Sequence, residues 1–578
     1  MSSTFGGLNI VSRSLYVQQA ALDTVGHNIA NANTDGYSRQ RVNMVTMAPA
    51  GEVYGSRGLN QAGSGVSVGS ITRARNAFTD RQLWKESSTL GYSQASSDAL
   101  IRMEGVFNEP SDTGIQTVLN QFWSSWQTLS ADASDSGART AVAQQGVVLV
   151  NAIQHAAQQL TDTVENINTS IALDVSKVNQ ITSSILTLNQ QIAFTEVGGN
   201  DHANDLRDSR DLLVDQLSKL VNISVQEDSA GNYNITSGSL SLVDATSYTK
   251  LDTVTTSDPT FGYPVTNVVS VASDGTTTSV DFTNGEIKAL IDSRDSSSTG
   301  IFAYMTNLDK ISQFLLQDFN DVHKAGYGTD NVNGRNFFGA DSSTDYSTAP
   351  AGGWINALMV NPEITDTTGG LALIAAKTTF SLVSAVTAGT GNTGRAIVSA
   401  TGTYTGGSTA TAVTAKVDSS GTINYSIDGG TTWTTNPLIQ GMTVNLDIKT
   451  LPTGTDTYDF TLSTGNNNAS GDNAILLGNC LKTTASATLG GVSLNSFYTA
   501  MIGALGVQSQ DAQRQNTNQQ TVVDQLINLR ASVSGVNMDE EMTDMIRFQK
   551  GYNAAARVLT AMDEMLDKLI NGTGIVGR

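Results

Sequence analysis

The chain has 578 residues and a formal net charge of −21, with 53 acidic side chains against 32 basic ones. This length predicts several domains, and an acidic balance without a basic patch excludes nucleic acid and anionic membranes as favoured partners. The single cysteine excludes an internal disulfide framework and a cysteine metal site. No run of about 18 apolar residues is present, so we expect no membrane insertion. The first residues carry no cleavable-signal pattern, which leaves either a cytoplasmic protein or one exported with an uncleaved terminus.

The first predicted element is a helix with a row of apolar side chains on one side. Successive members lie three and four residues apart, which is the spacing of a coiled-coil seam, and Gln18 is the one polar member. The row predicts a long helix that packs against another helix. Its apolar members are Leu8, Val11, Leu15, Leu22, Val25 and Ile29.

The next part of the chain is predicted to be mainly helical. Asn, Asp and Gly residues end the first helix in a turn, and short strands are expected between residues 41 and 75. Helical patterning then runs to about residue 220 and includes a long coiled-coil helix over residues 167–192. The charge-dense segment 203–213 has opposite signs at helical spacing, which predicts ion pairs along one helix face.

Two segments with strand periodicity interrupt the helical pattern. Alternating apolar residues and turn signals predict strands from residue 221 to about 285 and again from about 378 to 470. A helix over residues 286–324 separates the two segments. Helix is expected again from about Leu494, with a break near Gly535.

The last predicted helix runs from Met538 to about Ile570 and again carries an apolar row on one side. Asn537 can cap its first turn, and Glu540 is placed to reach back in a capping box. We expect this row to pair with that of the first helix or with copies of the chain, as a coiled-coil assembly unit. The members assigned to the assembly interface are Met542, Met545, Tyr552, Leu559, Met562, Leu566 and Leu569.

These elements predict an α+β multidomain fold. Long terminal coiled-coil helices and a helical bundle are interrupted by two mainly-β domains. The predicted domains are a terminal helical domain (1–49 and 530–578), a helical bundle (50–222, 286–328 and 490–529), a mainly-β domain (223–285, 329–377 and 471–489) and an outer β insertion (378–470). We expect a rod with the termini at one end and the β domains furthest from them.

No catalytic constellation is convincing. Residues 389–394 match GxGxxG but precede a strand-like segment rather than a helix. Residues 65–69 match GxSxG without a following helix, and the loop at 330–334 lacks calcium ligands at the required positions. The four histidines show no metal-ligand spacing. We therefore predict no catalytic residue, no cofactor and no metal site, hence not an enzyme.

The two ends of the chain carry the most specific motifs. Residues 28–37 resemble the signature of bacterial flagellar rod, hook and hook-associated proteins, and residues 37–40 are more similar to the hook-associated protein 1 family than to the hook protein. Residues 534–541 and 549–558 are similar to that family's ending. The positions assigned to the family motif are Asn31, Asn33, Gly36, Tyr37, Asn537 and Glu540.

The resemblance covers about two-thirds of the chain and implies a structural protein of the flagellum. Such a protein would leave the cell uncleaved through the type III export apparatus and form a ring of subunits in helical array at the extracellular hook–filament junction. The implied partners are other copies, the hook protein, a second junction hook-associated protein, and an export chaperone at the C-terminal helix. Three alternatives stay open: another axial protein (hook or rod), a secreted adhesin that uses residues 378–470, and an enzyme that depends on Ser67 or His323.

Overall fold

The computed structural model describes residues 4–47, 63–197, 202–272, 274–378, 383, 386–402, 404–406, 410–463 and 469–572. The first part of the chain forms a helix, an antiparallel hairpin and four further helices. These elements are α1 (Thr4–Ala30), β1 (Gln40–Thr46), β2 (Val66–Arg73), α2 (Ala77–Phe107), α3 (Ile115–Ala131), α4 (Ser136–Thr195) and α5 (Asn204–Leu220).

Two small antiparallel sheets follow, and then a second group of helices. The sheets have the strand orders β3-β4-β5 and β6-β7-β8. The strands are β3 (Ser224–Glu227), β4 (Tyr233–Ser237), β5 (Leu240–Val243), β6 (Lys250–Ser257), β7 (Pro264–Val271) and β8 (Thr277–Ser279). The helices are α6 (Glu286–Asp295), α7 (Ile301–Phe314), a π-helical segment (Leu315–Phe319), α8 (Asn320–Ala325), α9 (Trp354–Ala357), α10 (Pro362–Thr365) and a 3₁₀ segment (Gly370–Leu373).

The outer insertion forms two further sheets, and three helices complete the chain. The sheets have the strand orders β10-β14-β13 and β12-β11-β15-β9. The strands are β9 (Thr387–Ala388), β10 (Arg395–Gly402), β11 (Thr411–Val417), β12 (Ile423–Ser426), β13 (Leu438–Ile439), β14 (Met442–Thr450) and β15 (Asp456–Leu462). The helices are α11 (Asp472–Lys482), α12 (Leu494–Ser534) and α13 (Met538–Gly572).

Helix α4 runs the length of the helical body. It has 60 residues, which at 1.5 Å per residue corresponds to about 90 Å. Near its first turn, Arg139 donates hydrogen bonds to the carbonyls of Leu371 and Ile374 at the base of the outer insertion. Just beyond its last turn, Glu196 accepts from Arg207 of α5, on the side of the body nearest the chain termini. Helix α4 therefore spans the distance between the base of the outer insertion and the part of the body nearest the chain termini.

The sheets β3–β8 lie alongside α4 and not at the far end of the rod. Three asparagines of α4 each form two hydrogen bonds with the backbone of a strand. The side-chain oxygen accepts from an N–H group, and the side-chain nitrogen donates to a carbonyl. Asn168 bonds to Thr266 N and Pro264 O, Asn179 to both groups of Leu251, and Asn189 to both groups of Tyr233, all at 2.7–3.1 Å. These sheets share one apolar core with the helical body.

The predicted grouping of the mainly-β domain is wrong in two places. Residues 329–377 form irregular chain with the short helices α9 and α10, and residues 471–489 contain α11, which the strand patterning of the preceding segment had obscured. The first segment packs on α4, where Gln154 donates to Leu358 O, and α11 packs on α3, where Gly478 faces the Gln127 side chain. The predicted boundary at residue 530 falls inside α12, and that at 49/50 lies outside the described residues. Otherwise the division into four domains stays a prediction.

The outer insertion has an apolar core of its own, formed between its two sheets. The strand pattern places alternate residues of β11, such as Val413 and Ala415, in that core. The GxGxxG segment is a turn between β9 and β10, and the carboxylate of Asp456 accepts the N–H groups of Thr393 and Gly394. Two of the backbone donors of this turn are therefore already occupied by a carboxylate of the protein itself. Among the described residues, no helix has the length and apolar content needed to cross a membrane.

Candidate assembly site

Helices α1 and α13 pack against each other as an antiparallel pair, here called the terminal pair. Three contacts fix its register: Gly7 faces the Met562 side chain, Gly551 faces the Gln18 side chain, and Asn28 binds Glu541. The two residue numbers in each contact add to the same total, as one uninterrupted antiparallel register requires. A Cβ at Gly7 would come within 2.4 Å of Met562, so glycine here lets a large side chain of the facing helix approach closely.

Only some of the residues predicted to form the seam lie on the buried face of α1. Val11 and Val25 are buried, whereas Leu8, Leu15, Leu22 and Ile29 are half-buried along one flank of α1. The buried row instead includes Val17, Ala21 and Asn28. On α13, the residues Met545, Tyr552, Leu559, Met562 and Leu566 are half-buried against α1.

Two predicted seam residues of α13 are largely exposed. Met542 is 55% exposed and Leu569 is 53% exposed. Met542 is turned away because the glycine contacts set the rotation of the helices, so that Gly7 and Gly551 face the partner. Leu569 is exposed for a different reason: the register places it beyond Thr4, where α1 begins, so no described residue of α1 lies opposite it. A pattern that counts only apolar residues does not contain this information.

Asn28 is the polar centre of the join between the terminal pair and the helical body. Its amide nitrogen donates to Gln40 O at 3.0 Å and to Glu541 Oε2 at 2.9 Å. Its amide oxygen accepts from Tyr37 Oη at 2.7 Å and from Gln40 N at 2.9 Å. Asn28 is buried, so this complete set of partners removes the free-energy cost of burying a polar amide.

Arg39 joins the first loop to the start of the last helix. Its Nε donates to Glu541 at 2.6 Å and its Nη1 to Glu540 at 2.6 Å, while its own N–H donates to Ser534 O. Burial alone would lower the pKa of Arg39, but hydrogen bonds and attraction from Glu540 and Glu541 raise it above its usual value. We call Asn28, Arg39, Glu540 and Glu541 the elbow clamp.

The elbow clamp corrects the predicted capping box. Asn537 does cap α13, because its side chain accepts from Asp539 N at 3.0 Å. Glu540 does not reach back to Asn537; its carboxylate binds Arg39 instead. Glu541 has the stronger structural role, since its side chain is 1% exposed and forms an ion pair with Arg39.

The remaining motif residues shape the turn between α1 and β1. Gly36 has φ +80°, and a Cβ there would lie 3.2 Å from Leu212 of α5. Burial, with the nearby charges of Asp205, Asp208 and Glu541, raises the pKa of Tyr37, so its hydroxyl stays protonated and donates to Asn28. Asn31 donates to His27 O, which ends the helix, and Asn33 is exposed.

The turn between α1 and β1, together with the elbow clamp, is called the elbow. Helix α5 connects the elbow to the body through ion pairs with other elements. Arg73 binds Asp208 at 2.6 Å and Asp211 at 2.7 Å, and Arg75 binds Asp211 at 2.9 Å. Burial alone would raise the pKa of Asp211, but Arg75 and Arg73 hold it below its usual value. The predicted ion pairs along one helix face are therefore wrong: α5 is enclosed by other elements, so its charges find partners there.

Beside the clamp lies an open cleft of about 340 Å³, between α1, β1 and the first turns of α13. Its walls carry both signs of charge, including Arg39, Arg41, Asp544 and Arg547. No group of three metal-binding side chains occurs among the described residues. The chemistry of the region is that of a polar join between helices.

Comparisons with known proteins match these regions separately and the chain as a whole. The family model described as the flagellar hook-associated protein FlgK helical domain matches residues 100–338. A flagella basal body rod protein model matches residues 8–37, and the C-terminal model of the flagellar basal body rod FlgEFG proteins matches residues 530–572. The two terminal matches cover most of the terminal pair and three residues of the elbow clamp, Asn28, Glu540 and Glu541.

Flagellar hook-associated protein 1 of Bacillus subtilis (strain 168) is 30% identical over 603 residues, with 100% of both chains covered. The chain belongs to the flagellar hook-associated protein 1 family. The Escherichia coli (strain K12) member is 27% identical, with 98% of this chain and 99% of that one covered. The hook junction protein FlgK from Burkholderia pseudomallei shares the fold, with a TM-score of 0.57, 19% identity, and coverage of 78% of this chain and 100% of that one.

Membership of the hook-associated protein 1 family makes this chain an exported structural component of the bacterial flagellum. The α+β fold class with long terminal helices is confirmed by the shared fold. The rod-protein matches cover only two short terminal segments, so they do not favour a rod or hook protein. Nothing in the comparisons favours an adhesin.

Proposed function

We propose that this chain forms the junction between the flagellar hook and filament and that it self-assembles through the terminal pair. Helix α13 is apolar on more than the side that faces α1. Met542 and Ile546, four residues apart, form one outward stripe; Val558, Met565 and Leu569 form a second. A helix that is apolar on several sides is stable in water only when it is surrounded, which is the single observation that carries this proposal.

Neighbouring copies supply the missing cover. The half-buried row of α1, from Leu8 to Ile29, lies on the flank of the terminal pair and offers a complementary apolar edge. Close packing of such edges around a common axis gives a ring or helical array. The assembly interface then consists of the thirteen seam residues of the sequence analysis together with Ile546, Val558 and Met565.

The elbow clamp sets the angle between the terminal pair and the body. Arg39 and Glu541 are both buried, so neither charge can exchange its partner for water at low cost. This ion pair therefore holds the angle. In a junction, every copy must present its body at the same angle. We therefore assign the family-motif residues Asn31, Asn33, Gly36, Tyr37, Asn537 and Glu540 to that positioning.

Several further properties follow from this role. The hook protein and a second hook-associated protein are the axial neighbours, and the uncleaved chain leaves the cell through the type III export apparatus to the extracellular junction. An export chaperone covers the outward stripes of α13 before assembly, since exposed apolar helix faces otherwise aggregate. The protein works as a structural element without catalysis, cofactor or metal.

Deletion of the gene in its host tests the place of the protein in the flagellum. We expect electron micrographs of hooks without filaments, with flagellin released into the medium. Loss of the hook itself would instead assign a hook or rod role, and intact flagella would overturn the proposal.

A point variant tests the interface itself. Met565→Asp places a charge in the second outward stripe and should abolish filament growth on otherwise normal hooks. Leu173→Asp is the matched control, because Leu173 is similarly exposed but lies on α4 of the body. Normal filaments with Met565→Asp would contradict the proposed interface. Equal failure of both variants would show that any exposed charge blocks assembly, so the result would not support an interface on α13.

A further inference from the structure

The outer insertion is attached to the body at one point. The chain enters and leaves where Thr378 N donates to Asp472 Oδ1 at 2.9 Å and Ala474 N donates to Ala376 O at 3.0 Å. Its apolar core is separate from that of the body. The outer faces of its sheets are therefore free for a role of their own.

One of these faces, on the four-stranded sheet, carries a row of polar side chains. Val413, Ala415 and Val417 of β11 point inward, so Lys416 points outward. The strand register places Lys416 between Asn424 of β12 and Thr457 of β15. Among the described residues, neither the Lys416 ammonium group nor the Asn424 amide has a hydrogen-bond or ion-pair partner.

Trp433 lies at the end of this row and is held rigidly. Its indole Nε1–H donates to Gly430 O at 3.0 Å. The turn beneath it is fixed by Asp428, whose Oδ1 accepts from Thr431 N and Thr432 N, both at 2.9 Å. The Thr432 hydroxyl also donates to Asp428, and this bond, followed by the Thr432 N–H, holds the pKa of Asp428 well below its usual range, so the turn keeps its charge. The ring therefore needs no reorganisation in order to bind.

The exposure of Trp433 distinguishes it from the other tryptophans. Trp84, Trp126 and Trp354 are buried, and Trp123 is covered by Lys482, whose Nζ lies 3.7 Å from its ring centroid. Trp433 is 39% exposed, and Lys416 Nζ stands 5.6 Å from its ring centroid. An exposed aromatic plane beside a cation that has no ion-pair partner among the described residues is an arrangement that binds ligands rather than one that stabilises a core.

We propose that this face binds an acidic saccharide, with a sugar ring on the Trp433 indole and its carboxylate on Lys416. The apolar C–H face of a pyranose matches the flat indole, and a carboxylate is the complement of the unpaired ammonium group. The Asn424 amide supplies a donor and an acceptor for sugar hydroxyls. The inference goes beyond the junction role and does not depend on assembly.

Titration of the purified full-length protein with trigalacturonic acid tests this site, and maltotriose serves as the neutral comparison. We expect trigalacturonic acid to change tryptophan fluorescence and to bind measurably by calorimetry at millimolar concentration, and maltotriose to bind about tenfold more weakly or not at all. Trp433→Ala should weaken binding at least about tenfold, and Lys416→Gln should remove the preference for the acidic sugar. Leu438→Ala is the matched control, because Leu438 is an exposed residue of the other sheet.

Two results would overturn the proposal. One is that the wild-type chain does not bind trigalacturonic acid, and the other is that Trp433→Ala binds it unchanged. Circular dichroism checks that each variant folds. If Trp433→Ala does not fold, Lys416→Gln carries the test, since it removes only the charge. Retained preference for the acidic sugar in Lys416→Gln would also count against the site.

Discussion

The elbow and the base of the outer insertion both join one part of the chain to the body, but they use different chemistry. The elbow buries a charged pair, Arg39 with Glu541, at the meeting of segments that are 502 residues apart. The insertion base closes with hydrogen bonds between neighbouring backbone segments and an exposed Thr378–Asp472 contact. The terminal pair leaves apolar stripes uncovered, whereas the insertion completes its own core. The elbow therefore fixes the angle between the terminal pair and the body, whereas the insertion base attaches a domain that has its own apolar core.

The largest effect should come from breaking the elbow clamp. Glu541→Ala leaves Arg39 buried without its main partner and removes one acceptor from Asn28, so we expect docking of the terminal pair to weaken by about 3–5 kcal/mol. Hydrogen exchange of the amides of α1 and α13 measures that loss, because local opening exposes them.

Glu540→Ala is the control for the elbow clamp. Glu540 binds the same arginine at the same distance, but its side chain is 59% exposed, so its loss should cost no more than about 1 kcal/mol. Equal effects of the two variants would show that burial of Glu541 does not determine the strength of the clamp.

A smaller effect is expected at the insertion base when the pH falls. His323 is fully buried: its Nδ1–H donates to Arg335 O at 2.8 Å, and its Nε2 accepts from Ala375 N at 2.9 Å. Burial lowers its pKa from 6.5 to about 4. Above pH 6.5 the histidine is neutral in both states. Between pH 6.5 and 4 only the unfolded chain takes up the proton, so the free energy of unfolding should fall by about 3 kcal/mol, with no further loss below pH 4.

Denaturant unfolding at pH 7 and pH 4.5 measures this change. Carboxylates also titrate in the window, so the comparison is with His323→Gln, which keeps a donor and an acceptor but does not take up a proton. The variant should lose less stability than the wild-type chain over the same pH range. Equal pH dependence of the two proteins would mean that the histidine is not the group that weakens this base.

Features that depend on residues close together in the chain could be predicted from the sequence. Helix ends depend on local residues, so the break after Ser534 and the Asn537 cap of α13 follow from neighbouring side chains. Likewise, the alternation of apolar residues in β14 and β15 predicts which of their side chains lie in the core of the insertion. Both depend on residues close in sequence.

Contacts between distant segments could not be predicted in this way. The pairing of Arg39 with Glu541 leaves no periodic trace, and Glu541 looks like one of several acids in a first helical turn. The rotated seam depends on where Gly7 and Gly551 meet their partners, which only the antiparallel register reveals. The short helix α11 was missed because it directly follows a strand-rich segment.

The smallest effect should follow from removing the insertion altogether. Thr378 and Asp472 are in hydrogen-bond contact, so a short glycine–serine linker in place of residues 379–470 can join them without strain. Because the insertion keeps its apolar core to itself, we expect the free energy of unfolding of the remaining body to change by less than about 1 kcal/mol and filaments still to grow on the hooks. Denaturant unfolding and electron microscopy measure the two outcomes. A body that unfolds without the insertion would show that the two cores support each other, and the contrast between the two joins would then be lost.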